Sequence, residues 1–218
     1  MSVRGSGNTE NSLVKPITHE LSAYLKDESR ITGIAESISF PKTREDVIAL
    51  IKDLYSKGIP VTIQGARTGL TAGAVPQSGH IINLSRMDSV TEMRIDDKGS
   101  FYITVQAGTI LSELRKQIKD KNFDISKWNA ESTKTFEEFC NAPEQFFSPD
   151  PTETSATLGG MAACNASGAC SYLYGSTRKH VTALKIVLCS GHTLTIRRGE
   201  IFASGRKLDL VKIGRAHV

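Results

Sequence analysis

The sequence predicts an α+β protein in which a small parallel lobe precedes a mainly antiparallel lobe. In the N-terminal half, short runs of β-branched residues flank an amphipathic stretch. A strand–helix–strand order implies a right-handed crossover between parallel strands. In the C-terminal half, apolar and polar residues alternate on either side of turn residues, which is typical of antiparallel hairpins. We therefore expect two lobes with different sheets.

The parallel lobe is predicted from residues 37–84. Residues 37–40 form a short strand that ends before Pro41, and residues 61–64 and 81–84 form the next two strands. Thr43 is expected to cap the intervening helix, which ends at Gly58. The apolar residues at helical spacing, expected to face the core, are Val47, Ile48, Ile51, Leu54 and Tyr55.

The antiparallel lobe is predicted from two hairpins. Residues 92–95 and 101–105, joined by a turn at 96–99, form the first hairpin. Residues 184–188 and 194–196, joined at 190–191, form the second.

A second amphipathic helix is expected between these hairpins, over residues 109–118. Its inward residues are predicted to be Ile110, Leu111, Leu114 and Ile118. Residues 126–147 are polar and are interpreted as an insertion.

Composition excludes several functional classes. The chain has 218 residues, which suits one large domain or two small ones. The net charge is only +4, and no dense run of Lys and Arg with interleaved aromatic residues occurs, so we expect no nucleic-acid partner. No apolar run approaches the roughly 18 residues of a membrane span, and the start lacks the apolar segment of a secretory signal. We expect a cytoplasmic protein, with peripheral attachment to the inner membrane left open.

The cysteines and histidines indicate no metal site. The cysteines form no CxxC pair, so we expect reduced thiols in the core at Cys140, Cys164, Cys170 and Cys189. The five histidines are scattered and form no pair at metal-ligand spacing.

Two stretches concentrate the glycines. Residues 58–79 and 159–175 hold 5 and 4 of the 18 glycines, and both are rich in Ser and Thr. Thr157 or Ser155 is expected to cap a helix over 159–165, which would leave backbone amides free for a phosphate. Each stretch alone is also compatible with tight turns. Together they favour a ligand with a diphosphate, although neither GxGxxG nor GxxxxGK[ST] is present.

The stretches that carry these glycines resemble a known flavoprotein family. PVTIQGARTGLTAGAVP (60–76) with INLSRM (82–87) is similar to the first FAD-binding loop of the vanillyl-alcohol oxidase/p-cresol methylhydroxylase (PCMH-type) flavoproteins. VQAGTILSELRKQI, PDPTETSATLGGMAACNASG and YGSTRKHVTALKIVLCSGHTL resemble the segments that follow. The resemblance spans about residues 20–199 and is strongest to the branch of the glycolate oxidase flavin subunit, D-lactate dehydrogenase and D-2-hydroxyglutarate dehydrogenase.

The resemblance implies a two-subdomain FAD-binding domain and a role for individual residues. The first loop would wrap the FAD pyrophosphate through Gly65, Ala66, Arg67, Thr68, Gly69, Leu70 and Gly73. The second would line the diphosphate and isoalloxazine with Thr157, Gly159, Gly160, Asn165 and Gly168, and Pro149 and Asp150 would lie near the flavin edge.

Some of these roles have open alternatives. Arg67 departs from the small or amide residue expected there, and either pairs with phosphate or points to solvent. Asn165 either lines the site or braces its own turn, and Tyr174 is expected in the core rather than against the flavin. Relatives that tether FAD use a histidine where this chain has Thr68, and residues 64–76 contain neither His nor Cys, so we expect non-covalent FAD.

The implied function is oxidation of a 2-hydroxy acid such as D-lactate, glycolate or D-2-hydroxyglutarate, with hydride transfer to flavin N5. No catalytic residues are assigned, and the electron acceptor and any further subunits of an oxidase complex are not identified. A non-catalytic flavin-binding subunit and a non-redox nucleotide-binding module stay open as alternatives.

The domain prediction has three parts. Residues 1–19 are a tail, and residues 20–212 are an FAD-binding domain that stops short of its family's C-terminal end. Residues 213–218 are interpreted as non-native, and a short natural subunit with an ordinary polar tail stays open as the alternative. On that interpretation, this piece alone is expected to be inactive.

Overall fold

The first lobe contains a four-stranded sheet. A computed structural model describes residues 13–202, 204 and 205, so residues 213–218 lie outside the described part. The strands are β1 (Val14–Pro16), β2 (Ser37–Ser39), β3 (Val61–Gln64) and β4 (His80–Asn83), in the order β1-β2-β4-β3. Strands β2, β4 and β3 are parallel, which confirms the predicted parallel lobe, and β1 adds an antiparallel edge.

Strand β1 lies within residues 1–19, which the sequence predicts to be a tail. A 3₁₀ helix (His19–Leu25) follows it and leads into the turn before β2. The last part of residues 1–19 therefore belongs to the first sheet.

Helix α1 (Arg44–Ser56) makes the crossover between β2 and β3. It begins with the predicted cap, because Thr43 Oγ1 accepts the Asp46 N–H while the Asp46 carboxylate accepts the Thr43 N–H. The buried face consists of Val47, Leu50 and Leu54. Tyr55 was wrongly expected on this face and is exposed, because it lies one residue beyond the buried Leu54 and points away from the sheet.

The centre of this sheet holds a buried histidine. His80 is completely buried at the start of β4, and its ring nitrogens lie 2.8 Å from Ser37 Oγ and 2.8 Å from Ser39 Oγ of the neighbouring strand. Burial lowers the pKa of His80 because the charged form loses its hydration. The histidine therefore joins β4 to β2 through its side chain as well as its backbone.

The second lobe begins with the first predicted hairpin. Strands β5 (Val90–Ile95) and β6 (Phe101–Val105) pair antiparallel, and helix α2 (Leu111–Lys119) follows. Leu111, Leu114 and Ile118 are buried as expected. Ile110 was wrongly expected to face inward, because it precedes the first turn and has extended backbone that directs it outward.

The segment 126–147 contributes aromatic residues to the core, and its interpretation as an insertion stays a prediction. Helix α3 (Ala130–Asn141) packs on β5 through an aromatic cluster, defined here as Phe101, Phe123, Trp128, Phe136 and Phe139. Ring centroids lie 5.2 Å apart for Phe101 and Phe139, and 5.9 Å apart for Trp128 and Phe136. A few large rings bury much surface even in a stretch that is polar on average, so the polar composition hid these core contacts.

The remaining elements are short. They are α4 (Leu158–Cys164), α5 (Ser171–Tyr174), α6 (Thr177–His180), β7 (Ala183–Val187) and β8 (Thr193–Arg197), and β7 and β8 form the second predicted hairpin. All four cysteines are free and exposed, so the core position predicted for them is wrong. Within the described residues no helix combines the length and apolar character needed to cross a bilayer.

Candidate cofactor site

The first glycine loop starts at the carboxyl end of β3. Gly65 follows Gln64 directly, and Asn83 at the end of the adjacent β4 donates its Nδ2 hydrogen to the Gly65 carbonyl at 3.2 Å. In open sheets with parallel strands, ligands bind outside this edge. The loop therefore leaves the sheet where a ligand is expected.

Buried amide side chains close the base of this loop. Gln64 is 1% exposed, and its Nε2 donates to the Tyr24 carbonyl at 2.8 Å and to the Ala74 carbonyl at 2.7 Å. Asn83 Oδ1 accepts the N–H of Ser85 at 3.0 Å. These contacts draw the two ends of the loop together.

The backbone between these ends offers hydrogen-bond donors. In the described part of the chain, the N–H groups of residues 66–73 donate to no protein acceptor. A β-carbon at Gly69 or Gly73 would meet no atom within 4 Å, and neither glycine has positive φ. Packing and conformation therefore do not require these two glycines. A loop with free amides and no side chains at these positions fits an anion that approaches the backbone closely.

The Arg67 side chain packs on an aromatic ring, and its role toward phosphate stays a prediction. Its guanidinium lies over the Tyr24 ring, 4.3 Å from the centroid. Its backbone is left-handed, with φ of 62°. The other predicted residues of this loop differ in exposure: Ala66 and Thr68 are half-buried, whereas Leu70 is 77% exposed.

The second loop leads into α4 through Thr157. Its Oγ1 accepts the Gly160 N–H at 3.3 Å, so Thr157 rather than Ser155 is the cap. The N–H groups of Leu158 and Gly159 donate at 2.8 Å to the carbonyls of Thr109 and Ala107. The expectation that α4 offers free amides is therefore wrong, because the chain before α2 already accepts them.

The two glycine loops are in direct contact. A β-carbon at Gly65 would overlap Thr157 Oγ1, so glycine is required for this approach. The strand-like backbone of Ile110 pairs with Thr157, and the Leu111 N–H donates to the Ala156 carbonyl at 3.0 Å. Thr157 therefore links the first loop to the start of α2.

Pro149, Asp150 and Gly168 lie together in a corner beside α2. Arg115 Nη2 donates to the Pro149 carbonyl at 2.7 Å and to Asp150 Oδ1 at 3.1 Å. A β-carbon at Gly168 would overlap the Asp150 carbonyl, which makes glycine necessary there. Pro149 and Asp150 are therefore held by the Arg115 guanidinium, and Gly168 is held by its close contact with the Asp150 carbonyl.

Cys170 also contacts this corner. Hydrogen bonds from the Cys170 thiol and the Arg115 guanidinium lower the pKa of Asp150, and the same carboxylate raises the pKa of Cys170. An open cleft of about 270 Å³ borders these residues, with Phe146 and Tyr174 on its wall. Tyr174 is 40% exposed and packs on Phe146, so its predicted core position is wrong.

Asn165 has a structural role. It ends α4 in the left-handed conformation, with φ of 48°, and its Oδ1 accepts the Arg178 N–H at 2.9 Å. Asn165 thus braces the connection to α6, as the alternative for this residue anticipated in part.

The residues that support the first loop were not predicted from the sequence. These are Tyr24, Asp27, Gln64 and Asn83, and only the position of Gln64 directly before Gly65 gave a local signal. Burial raises the pKa of Asp27, but hydrogen bonds from Ser29 and Ala74 outweigh it and leave that pKa below the ordinary value. In the described part of the chain, no group of three or more His, Cys, Asp or Glu residues could hold a metal ion.

The sequence matches a cofactor-binding family over most of its length. The family described as FAD binding domain matches residues 35–133 and 129–197, most of the chain. The chain belongs to this FAD binding domain family. The match confirms the predicted FAD cofactor and PCMH-type fold, whereas non-covalent attachment and the individual site residues stay predictions.

Curated relatives of this FAD-binding domain carry dehydrogenase names. The chain is 31% identical over 176 residues to D-lactate dehydrogenase of Anaerostipes hadrus, which covers 79% of this chain and 32% of that protein. It is 31% identical to D-2-hydroxyglutarate dehydrogenase of Haemophilus influenzae, covering 77% and 14%. The chain therefore spans about a third or less of the length of these relatives.

Solved structures share the fold of this FAD-binding domain. The structure of 6-hydroxy-D-nicotine oxidase from Arthrobacter nicotinovorans aligns with a TM-score of 0.64 at 16% identity, covering 89% of this chain and 38% of that one. Alkyldihydroxyacetonephosphate synthase aligns with a TM-score of 0.65 at 19% identity, covering 86% and 32%. At these identities the likeness concerns the fold alone.

Proposed function

We propose that the chain is the FAD-binding part of an oxidoreductase that oxidises a 2-hydroxy acid such as D-lactate, D-2-hydroxyglutarate or glycolate. The observation that carries the proposal is the row of free backbone amides over residues 66–73, directly after a parallel strand in a domain of this family. The names of the relatives at about 31% identity support the substrate class.

Residues of the first loop would hold the FAD pyrophosphate. Its donors are the N–H groups of Ala66, Arg67, Thr68, Gly69, Leu70 and Gly73, while Gly65 brings the loop against Thr157. Small residues there let an anion reach the backbone, and the hydrogen bonds to a charged phosphate oxygen are stronger than those to a neutral acceptor. The first loop thus contributes affinity mainly through the backbone.

Residues of the second loop would shape the neighbouring part of the site. The α4 amides already bond to the protein, so Thr157, Gly159, Gly160, Asn165 and Gly168 contribute shape rather than amide donors from the first turn. Pro149 and Asp150 would lie near the flavin edge, held by Arg115. When bound, FAD would supply the redox chemistry as the acceptor of a hydride from the α-carbon of the acid, and the hydroxyl proton would pass to a base that is not assigned here.

Two measurements test the proposal. The purified chain should bind FAD in a fluorescence titration, and ADP should compete much more weakly than FAD. Failure to bind FAD overturns the proposal, and equal affinity for ADP supports a non-redox nucleotide module instead.

Substrate identity needs a redox measurement. D-lactate, D-2-hydroxyglutarate and glycolate are added without oxygen to the complete gene product, with L-lactate as the enantiomeric control, and flavin absorbance is followed. Bleaching by one of the three identifies the substrate. Bound flavin that none of them bleaches overturns the substrate class and leaves a flavin-binding subunit.

A further inference from the structure

A short segment before β2 contacts the first glycine loop at both ends and in the middle. This segment, residues 24–28, is named the brace here. The Tyr24 carbonyl accepts from Gln64 Nε2 at 2.8 Å, and Asp27 Oδ2 accepts from the Ala74 N–H at 3.3 Å. The Glu28 N–H donates to the Arg67 carbonyl at 3.2 Å. The brace therefore contacts the loop at its start (Gln64), within it (Arg67) and at its end (Ala74).

Arg67 makes two of the contacts with the brace. Its carbonyl accepts the Glu28 N–H, and its guanidinium stacks on the Tyr24 ring with 4.3 Å to the centroid. The Tyr24 ring is itself held edge-on by Phe40, with centroids 5.2 Å apart. The guanidinium is thus anchored to a ring that is supported by Phe40, the residue directly after β2.

The backbone of Arg67 is in a conformation that this residue type disfavours. Its φ of 62° is left-handed, a region favoured by glycine. Such a conformation persists only where surrounding contacts stabilise it. The contacts with Tyr24 and Glu28 provide that stabilisation.

We propose that Arg67 is a positioning residue of the FAD site, which fixes the free amides of residues 66–73 through its contact with Tyr24 and does not bind phosphate through its side chain. The inference rests on the proposed function, which names FAD as the ligand. The positioning role of Arg67 is argued from its observed contacts with Tyr24 and Glu28. The brace orders the loop before the cofactor arrives, and an ordered loop binds with less loss of conformational entropy.

A double-mutant cycle tests the mechanism. Tyr24→Leu removes the ring and leaves the Tyr24 carbonyl in place, and Arg67→Gln removes the charge without placing a glycine or proline at this backbone position. Each should weaken FAD binding about fivefold, as expected for a partly exposed cation–π pair. The double variant should also lose only about fivefold, because the two residues act as one unit.

Matched variants keep the cycle specific. Tyr24→Phe retains the ring, and its FAD affinity should lie within about twofold of that of the unsubstituted chain. A difference of about twofold is inside the usual additivity error of such cycles. Tyr55→Leu, at an exposed tyrosine of α1, controls for loss of a surface ring. Circular dichroism checks that each variant folds.

An additive loss, about 25-fold in the double variant, would overturn the proposal and indicate direct contact between Arg67 and phosphate.

Amide exchange in the FAD-free chain tests the brace independently. The Glu28 N–H should exchange several-fold faster in both Arg67→Gln and Tyr24→Leu, while amides of α1 keep their rates. Unchanged exchange at Glu28 would show that the ring contact does not order the loop, and would refute the proposal. If the unsubstituted chain binds no FAD, the proposed function fails, and the exchange rates still decide whether Arg67 acts through Tyr24.

Discussion

Gly65 lies so close to Thr157 that a β-carbon at residue 65 would overlap the threonine Oγ1. The two residues are 92 positions apart in the sequence, and each belongs to one of the glycine-rich loops. Thr157 simultaneously caps α4 and pairs with the backbone of Ile110. This one approach therefore sets how the first loop is placed against the second lobe.

The contact between Gly65 and Thr157 predicts a compensating pair of substitutions. Gly65→Ala should lower the free energy of unfolding by about 1–3 kcal/mol through overpacking. Thr157→Ala should lower it by about 1 kcal/mol through loss of the cap. The double variant should lose less than the sum, because Thr157→Ala removes the overlapping oxygen. Urea unfolding measures all three, and additive losses would show that the loops do not meet here.

Gly69 and Gly73 predict opposite effects on stability and affinity. Alanine at either position meets no atom within 4 Å and requires no positive φ. Thermal unfolding of the FAD-free chain should therefore show unchanged stability or a gain of up to about 1 kcal/mol. FAD titration should show weaker binding, because the added methyl obstructs the approach to the backbone. Ala130→Val, at the exposed start of α3, is the control for added surface bulk. Full FAD affinity in both glycine variants would remove this part of the loop from the site.

Gly160 and Gly159 should respond differently to valine. A β-carbon at Gly159 would lie 2.7 Å from the Ala107 β-carbon, so Gly159→Val should unfold or rearrange α4. The corresponding atom at Gly160 would meet only Thr157 Oγ1, at 3.1 Å. Gly160→Val should therefore purify folded but without flavin, as the ratio of flavin to protein absorbance will show. A folded variant with full flavin content would contradict the assignment of the second loop.

FAD is expected to be released by denaturation. Residues 64–76 contain neither His nor Cys, the side chains that would tether a flavin in this loop. After acid precipitation the yellow colour should stay in the supernatant. Colour in the washed pellet would show a covalent bond, and peptide mapping would then locate the attached residue.

His80 predicts a loss of stability in mild acid. Burial lowers its pKa in the folded protein below the value of about 6.5 for an unfolded chain. The stability that depends on the neutral ring is complete above about pH 6.5 and declines as the pH falls through the folded pKa, because the unfolded state then binds more protons. The ordinary pKa of an aspartate side chain, about 3.9, lies below this window.

The measurement is urea unfolding at about pH 7.5 and about pH 5.5, on either side of the unfolded histidine pKa. His80→Gln should be less stable at the higher pH and should lose less stability between the two. His192→Gln, at an exposed histidine beyond β7, is the matched control. An equal pH response in the unsubstituted chain and His80→Gln would assign the acid sensitivity to another group.

Local patterns predicted much of the fold correctly. The cap at Thr43, the parallel strands around α1 and both hairpins follow from residue order and periodicity, and the structure confirms them. Helix α3 was missed, because a polar average hides a few aromatic residues whose partners lie on β6 and beyond α2. Periodicity and turn residues depend on neighbours in the sequence. They therefore predict helices and strands better than they predict contacts between residues that are distant in the sequence.

The sequence by itself determined the two glycine loops, their order and their resemblance to an FAD-binding family, which the family match confirms. Only the tertiary structure decided which backbone amides are available. The α4 amides are taken by the carbonyls of Ala107 and Thr109, whereas those of residues 66–73 remain free. Folding likewise turned Arg67 toward Tyr24 and brought Gly65 against Thr157. The physical reason is that each of these outcomes depends on which group, distant in sequence, lies next to a donor, a ring or a β-carbon position. Those distances are set only when the chain has folded.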